Sequence, residues 1–209
     1  MKDTEQLMLD PYLYEDAPVL KNMLGIKDAV ALERAEADIT YLRLYDIDGA
    51  LQTQAFSFAR LQAIHKYIFG DIFEWAGTIR AIPIIKCERV LGGDTVRYSH
   101  PDDIARDCAN VLKKLNSMNW KSFGIRETAE HFTKLVAELW QVHPFREGNT
   151  RTIITFATQF AEAHGFRMDK TLLKDSAAYV RDALVKASDG QYSEHAYLIK
   201  IFEDAIRRG

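Results

Sequence analysis

The stretch Val142-His143-Pro144-Phe145-Arg146-Glu147-Gly148-Asn149-Thr150-Arg151-Thr152 decides how this chain is read. Upstream of it, Phe132, Leu135, Val136, Leu139 and Trp140 recur at helical spacing, so a buried helix delivers the chain to His143. Pro144 disfavours helical geometry at the residue before it and ends that helix. Downstream, Ile153, Ile154, Ala157, Phe160 and Ala161 resume an apolar stripe that runs to Gly165, the expected C-terminal stop. A short loop is therefore clamped between two core helices.

The residue types in that loop point to phosphate chemistry. Gly148 lets backbone approach a ligand closely, and Asn149 is a favourable N-cap. They lead into a helix N-terminus, where unsatisfied N–H groups and the helix dipole attract an anion. Arg151, in the first turn, is a cation at the wrong end of its own helix, which makes sense if it meets a phosphate. His143 supplies a base that titrates near neutral pH, and Glu147 a hard oxygen ligand for Mg²⁺. Taken singly, Gly148 and Asn149 make an ordinary helix–helix turn and His143 caps a helix. Their concentration between two apolar helices favours a Mg-nucleotide phosphate site with an adjacent proton acceptor.

Outward from the loop the chain reads as mostly helical. Low Gly and Pro content and helix-forming composition predict helices over 27–44 and 57–69, and further ones over roughly 101–118, 126–142, 150–164, 170–187 and 193–207. The opening stretch 10–18, rich in turn formers and aromatics, predicts an irregular arm. Between Trp75 and His100 the texture changes. Thr78–Ile85 and Thr95–Tyr98 are β-rich around the turn signal Gly92-Gly93-Asp94, which predicts a hairpin, with Pro83 arguing for an edge. The expected fold class is all-α, one domain carrying a small β-hairpin.

Composition narrows the function classes. The 209 residues are 47% hydrophobic and 27% charged, ordinary for a globular protein and unlike a disordered chain. No apolar run approaches the roughly 20 residues that span a bilayer, so no membrane partner is expected. With 27 Lys+Arg against 30 Asp+Glu, the formal charge of -3 gives no electrostatic case for nucleic acid. Cys87 and Cys108 are too few for a disulfide scaffold and too far apart for a zinc knuckle. Met1–Glu5 lacks a signal-peptide pattern, and a cytoplasmic location is the default expectation.

The loop resembles the signature of the Fic family (filamentation induced by cyclic AMP), His-x-Phe-x-(Asp/Glu)-Gly-Asn-Gly-Arg-x-x-Arg. His143, Phe145, Glu147, Gly148, Asn149 and Arg151 match it position by position. Asp10-Pro11-Tyr12 with Val19–Asn22, Phe69–Gly77 and Tyr179–Gly190 are similar to the family's flanking blocks. The resemblance implies a Fic-type helical domain over 46–209, preceded at 1–45 by an arm and helix, and transfer of AMP from ATP to a Ser, Thr or Tyr hydroxyl of a protein, the enzyme itself included. It implies that His143 is the general base, that Glu147 holds Mg²⁺ against the phosphates, and that Arg146, Gly148, Asn149, Thr150 and Arg151 bind the phosphate chain. The 78–98 hairpin would be the flap that aligns a target segment by strand-like pairing. The stretch around Tyr179 and Ser188 is a weaker candidate for the adenine and ribose pocket.

Two departures stand out. Thr150 replaces the usual Gly, and Ile154 replaces the second signature Arg, so no guanidinium at that position grips the γ-phosphate. A Lys at position 150 would point to the family's phosphate-transferring branch, and its absence favours AMP transfer; the alternatives are transfer of another phosphorylated group, phosphate or UMP, or a nucleotide-binding relic. Many relatives carry an inhibitory helix, (Ser/Thr)-x-x-x-Glu-(Gly/Asn), whose Glu pairs with the second Arg. Here Ala31 and Ala35 stand in the best register, and a shifted one using Glu36 lacks a hydroxyl at Leu32. With Ile154 in place of the Arg, the expectation is no effective Glu–Arg clamp. A metal hydrolase is disfavoured, since Pro144 and Gly148 break the helix that the His143/Glu147 spacing would need. The remaining histidines, His65 among them, are expected to be surface or satisfied core residues.

Overall fold

The apolar stripe before His143 becomes the central helix of the molecule. The structure, a computed structural model, describes residues 10–51 and 55–207; Met1–Glu5 lies outside them. Among the described residues, eight α-helices run in order: α1 (Ala29–Ala50), α2 (Phe58–Phe69), α3 (Ile104–Ser117), α4 (Ile125–Val142), α5 (Asn149–Ala163), α6 (Lys170–Asp175), α7 (Ala177–Ala187) and α8 (Ala196–Ala205). Helix α4 buries the face that carries Phe132, Val136, Leu139 and Trp140 and packs against α3, α5, α7 and α8, while α2 joins α5 to α1. None of these helices is long and apolar enough to cross a membrane.

Local chemistry sets the helix ends. Asp28, Ser57 and Asp169 accept the N–H of Ala31, Arg60 and Leu172 and so cap α1, α2 and α6. Helix α5 stops in a Schellman arrangement around Gly165 (φ +87°), with the Phe166 N–H on the Ala161 carbonyl and the Gly165 N–H on that of Glu162. The core beneath is aromatic. Trp120 and Phe166 meet Phe132 edge-on at 5.4 and 5.2 Å, and each such ring buried is worth about 2–3 kcal/mol in removed apolar surface.

Three expectations change. The arm is not wholly irregular, because β1 (Leu13–Tyr14) and β2 (Ala17–Leu20) pair antiparallel and bury Val19. The helix over 170–187 is split at Ser176, a residue whose hydroxyl competes with the helical backbone, into α6 and α7. The stretch 78–98 follows a hairpin path without a strand ladder. The Glu88 N–H donates to the Asp94 carbonyl, the Gly93 N–H to that of Glu88, and the Lys86 N–H to the Thr95 hydroxyl, but no residue there is in a strand. The second small antiparallel sheet is instead β3 (Arg167–Met168) with β4 (Ile206–Arg207). Helix α1 runs unbroken through residue 45.

Candidate active site

His143 closes α4 in a left-handed conformation (φ 52°, ψ 61°), the sole non-glycine residue with positive φ among those described. Strain of this kind persists only where neighbours over-determine it, and Arg80 does so here. Its backbone N–H donates to the Pro144 carbonyl at 3.0 Å, and its buried guanidinium donates from Nε to the His143 carbonyl at 2.8 Å. The same guanidinium donates to the carbonyls of Ile82 (2.7 Å) and Ser99, at the two ends of the flap. The His143 ring lies against Tyr98 at 4.2 Å and edge-on to Trp140 at 5.2 Å. It is only 3% exposed, and neither ring nitrogen has a partner. Burial first, then the nearby charges of Lys86 and Arg80, hold its pKa well below the usual imidazole value. The ring is therefore neutral, with a lone pair to offer.

The loop is braced from beneath. Phe145 is buried and stacked on His65 at 3.9 Å. The His65 Nδ1 accepts the Gly77 N–H at 2.8 Å, so Nε2 carries the proton and donates to the Glu147 carbonyl at 3.0 Å. Burial pushes the His65 pKa down to about 4, which keeps this tautomer in place near neutral pH. Asn149 spends its side chain on the loop itself: Oδ1 accepts the Phe145 N–H (2.9 Å) and Nδ2 donates to the Phe145 carbonyl (2.8 Å). The cap of α5 is Gly148 rather than Asn149, and the first-turn backbone N–H groups of α5 face the loop without intrahelical acceptors.

Above the loop is a cavity of about 180 Å³ lined by Lys86, Trp140, His143, Glu147, Gly148, Asn149, Thr150, Arg151 and Arg181. It is smaller than the roughly 300 Å³ at which pockets begin to enclose whole drug-sized ligands, so it suits the phosphate end of a larger molecule. Three cations face one carboxylate there. Glu147 accepts the Gly148 N–H at Oε1 (3.0 Å) and lies 3.3 Å from the Lys86 ammonium at Oε2. Burial alone would raise its pKa, but Lys86, the Gly148 N–H and Arg151 outweigh it and keep the carboxylate below its usual range. Arg151 sits over the Phe69 ring at 4.8 Å, donates to the Thr40 hydroxyl at 3.0 Å and is ion-paired with Glu36 of α1. Arg181 is paired at 2.9 Å with the buried Glu88.

The Fic/DOC family model matches residues 55–161, a span that includes His143, Glu147, Gly148 and Asn149. The chain belongs to the Fic/DOC family. It is 32% identical over 161 residues to the protein adenylyltransferase VbhT of Bartonella schoenbuchensis, covering 77% of this chain but about a third of that longer protein. It is 29% identical to y4lH of Sinorhizobium fredii, named a probable protein adenylyltransferase, over 91% of this chain and 94% of that one. Among solved structures, BepC of Bartonella tribocorum with bound AMPPNP superimposes with a TM-score of 0.80 at 25% identity, over 95% of this chain and 97% of that one. A Fic domain from Bartonella quintana with bound ADP gives 0.79 at 26% identity, over 94% of each chain.

Within this Fic loop, His143, Glu147, Gly148, Asn149, Thr150 and Arg151 all reach the cavity, and two expected residues do not. Arg146 is not among the cavity-lining residues and makes a half-buried ion pair with Asp10 (2.7 Å), which fastens the N-terminal arm. Ser188 is buried at the end of α7, its hydroxyl 3.5 Å from the Ala137 carbonyl, and Tyr179 points to solvent. Neither lines the cavity. Thr150 uses its hydroxyl to accept the Trp140 indole N–H at 2.9 Å, so the β-branched replacement of Gly anchors a cavity wall. Ile154 packs against the core. Lys86, Arg181, Arg80, His65 and Glu36 lie far from the loop in sequence; Glu36 stands out only as a shifted register of the inhibitory pattern, and no local pattern points Lys86, Arg181 or Arg80 toward the loop.

Proposed function

We propose that this Fic-family chain transfers AMP from ATP to a hydroxyl side chain of a target protein. The observation that carries the reading is the buried, unpartnered imidazole of His143 opening onto the same cationic cavity as the N-terminus of α5. The target hydroxyl oxygen attacks the α-phosphorus, its proton passes to a free ring nitrogen of His143, and the bond to the β-phosphate breaks with its electron pair leaving on pyrophosphate. A depressed imidazole pKa suits this, because the incoming polyphosphate and target bring negative charge that raises it toward the working pH. Backbone N–H groups of the first turn of α5 and the Arg151 guanidinium would take the phosphate oxygens.

Glu147 fits a hard divalent cation, since its carboxylate stays ionised and already holds a cation beside it. No group of three His, Cys, Asp or Glu side chains gathers among the described residues, so the phosphate oxygens and water would complete the Mg²⁺ shell. When bound there, Mg²⁺ supplies charge neutralisation on the phosphates. The exposed Ile85 and the unpaired path of the flap support docking of an extended target segment, the protein's own chain included.

The test is incubation with ATP labelled at the α- or the γ-position. Label kept on protein only from the α-position is the expected result; label kept from the γ-position, or none from either, overturns the reading. Mass spectrometry of the purified protein reads self-modification in the same samples.

The Glu36–Arg151 pair is part of this proposal. It differs from the family's inhibitory contact in gripping the first signature Arg, on a seat completed by Thr40 and Phe69, and Arg151 still faces the cavity. It acts as a holder and not as a brake. Glu36→Gln is expected to lower nucleotide affinity several-fold, through a looser guanidinium. A tenfold gain in transfer by that variant would mean the pair inhibits.

A further inference from the structure

The family signature has two arginines and this chain has one, yet the cavity is not short of cations. Arg151, Arg181 and Lys86 all line it, and each rests on a carboxylate: Arg151 on Glu36, Arg181 on Glu88, Lys86 on Glu147. The three partnerships differ in what the arrival of a metal-bound nucleotide does to them. Glu36 and Glu88 belong to α1 and the flap, have no place among the cavity-lining residues, and keep their arginines. Glu147 is the one carboxylate in the cavity and the one suited to a divalent cation. With Glu147 given over to a divalent cation, the Lys86 ammonium would lose its acceptor and meet like charge, and so would be free to move. Lys86 is only 25% exposed at its side chain and faces the loop that binds phosphate, and the anion delivered with the metal is the polyphosphate itself.

We propose that Lys86 is a phosphate ligand that waits on Glu147 and passes to the β- and γ-phosphate oxygens when the metal-bound nucleotide enters, supplying from the flap the cation that Ile154 lacks. This rests on the reading of the cavity as a nucleotide site. A flexible four-carbon stem ending in a point charge suits such a handover better than a planar guanidinium fixed in a fork. The exchange also ties flap position to nucleotide occupancy, because residue 86 lies next to the exposed Ile85 at the flap's outer edge.

Calorimetry with Mg–AMPPNP and with AMP, on the parent protein, Lys86→Gln and Lys86→Arg, tests this, with thermal unfolding as the control for folding. Losing a charge-assisted contact to phosphate predicts AMPPNP binding weaker by roughly tenfold or more in Lys86→Gln. AMP, which has no β- or γ-phosphate, should bind Lys86→Gln and the parent within about twofold of each other, and Lys86→Arg should recover most of the AMPPNP affinity. Unchanged AMPPNP affinity in Lys86→Gln overturns the assignment, and so does an equal loss for AMP and AMPPNP. A parent protein that binds Mg–AMPPNP but transfers no AMP from ATP would sink the transfer reading and leave Lys86 standing. One that transfers AMP while Lys86→Gln binds AMPPNP normally would sink Lys86 alone.

Discussion

His143→Ala is expected to bind Mg–AMPPNP close to normally while losing AMP transfer by on the order of 10²–10⁴-fold, the range that a positioned general base supplies. The separation of the two effects follows from the geometry. Neither nitrogen of the ring is bonded to the protein, so truncation orphans no buried partner, and it leaves in place the elements proposed to meet phosphate: the α5 N-terminus, Glu147 and the cationic side chains. The backbone at position 143 is held by Arg80 through carbonyl groups that the substitution leaves in place. Single-turnover labelling beside calorimetry reads both quantities. Transfer within tenfold of the parent would mean that another group accepts the proton and that the imidazole only fills space.

Gly148→Ala is expected to do the reverse and take the site apart. Gly148 sits at φ +78°, and a Cβ there would lie 2.3 Å from both Cε2 and Cζ of Phe69. The ring cannot retreat easily, being fully buried, packed 4.8 Å from His65 and lying under the Arg151 guanidinium. Left-handed backbone strain and overpacking together predict a loss of roughly 2–5 kcal/mol in folding stability. Relief by moving Phe69 or the loop would shift the first turn of α5 and the seat of Arg151, so nucleotide affinity falls as well. Urea unfolding and calorimetry check the two parts. A variant as stable and as tight-binding as the parent would show that the loop accommodates a side chain at 148 and that the close approach to Phe69 is not a constraint.

Much of this was legible in the chain because it is local. Pro144 after a clean apolar stripe fixes where α4 must stop, and Gly165 fixes where α5 stops, since both act through the backbone of their immediate neighbours. The residues that make the loop into a site are different. Arg146 carries the same charge as Arg151 and lies five positions before it, yet one goes to Asp10 and the other to the cavity. That choice depends on where the N-terminal arm lies, which no local pattern encodes. Glu36 meeting Arg151, His65 propping Phe145 and Lys86 resting on Glu147 are equally long-range. The flap misled for a related reason. Its β-rich composition describes what the backbone is able to do, whereas turn bonds near Glu88 and the Arg80 grip on its ends leave that capacity unused.

The Arg80 guanidinium has a mechanical corollary. By holding both roots of the flap and the carbonyl of His143 in one hand, it welds the platform that would receive a foreign peptide to the group that would deprotonate it. A guest laid along the flap, as proposed, would thereby be indexed to the imidazole without any lid having to find its closed pose. Selectivity for which hydroxyl is chosen then becomes a question of ruler length along the flap.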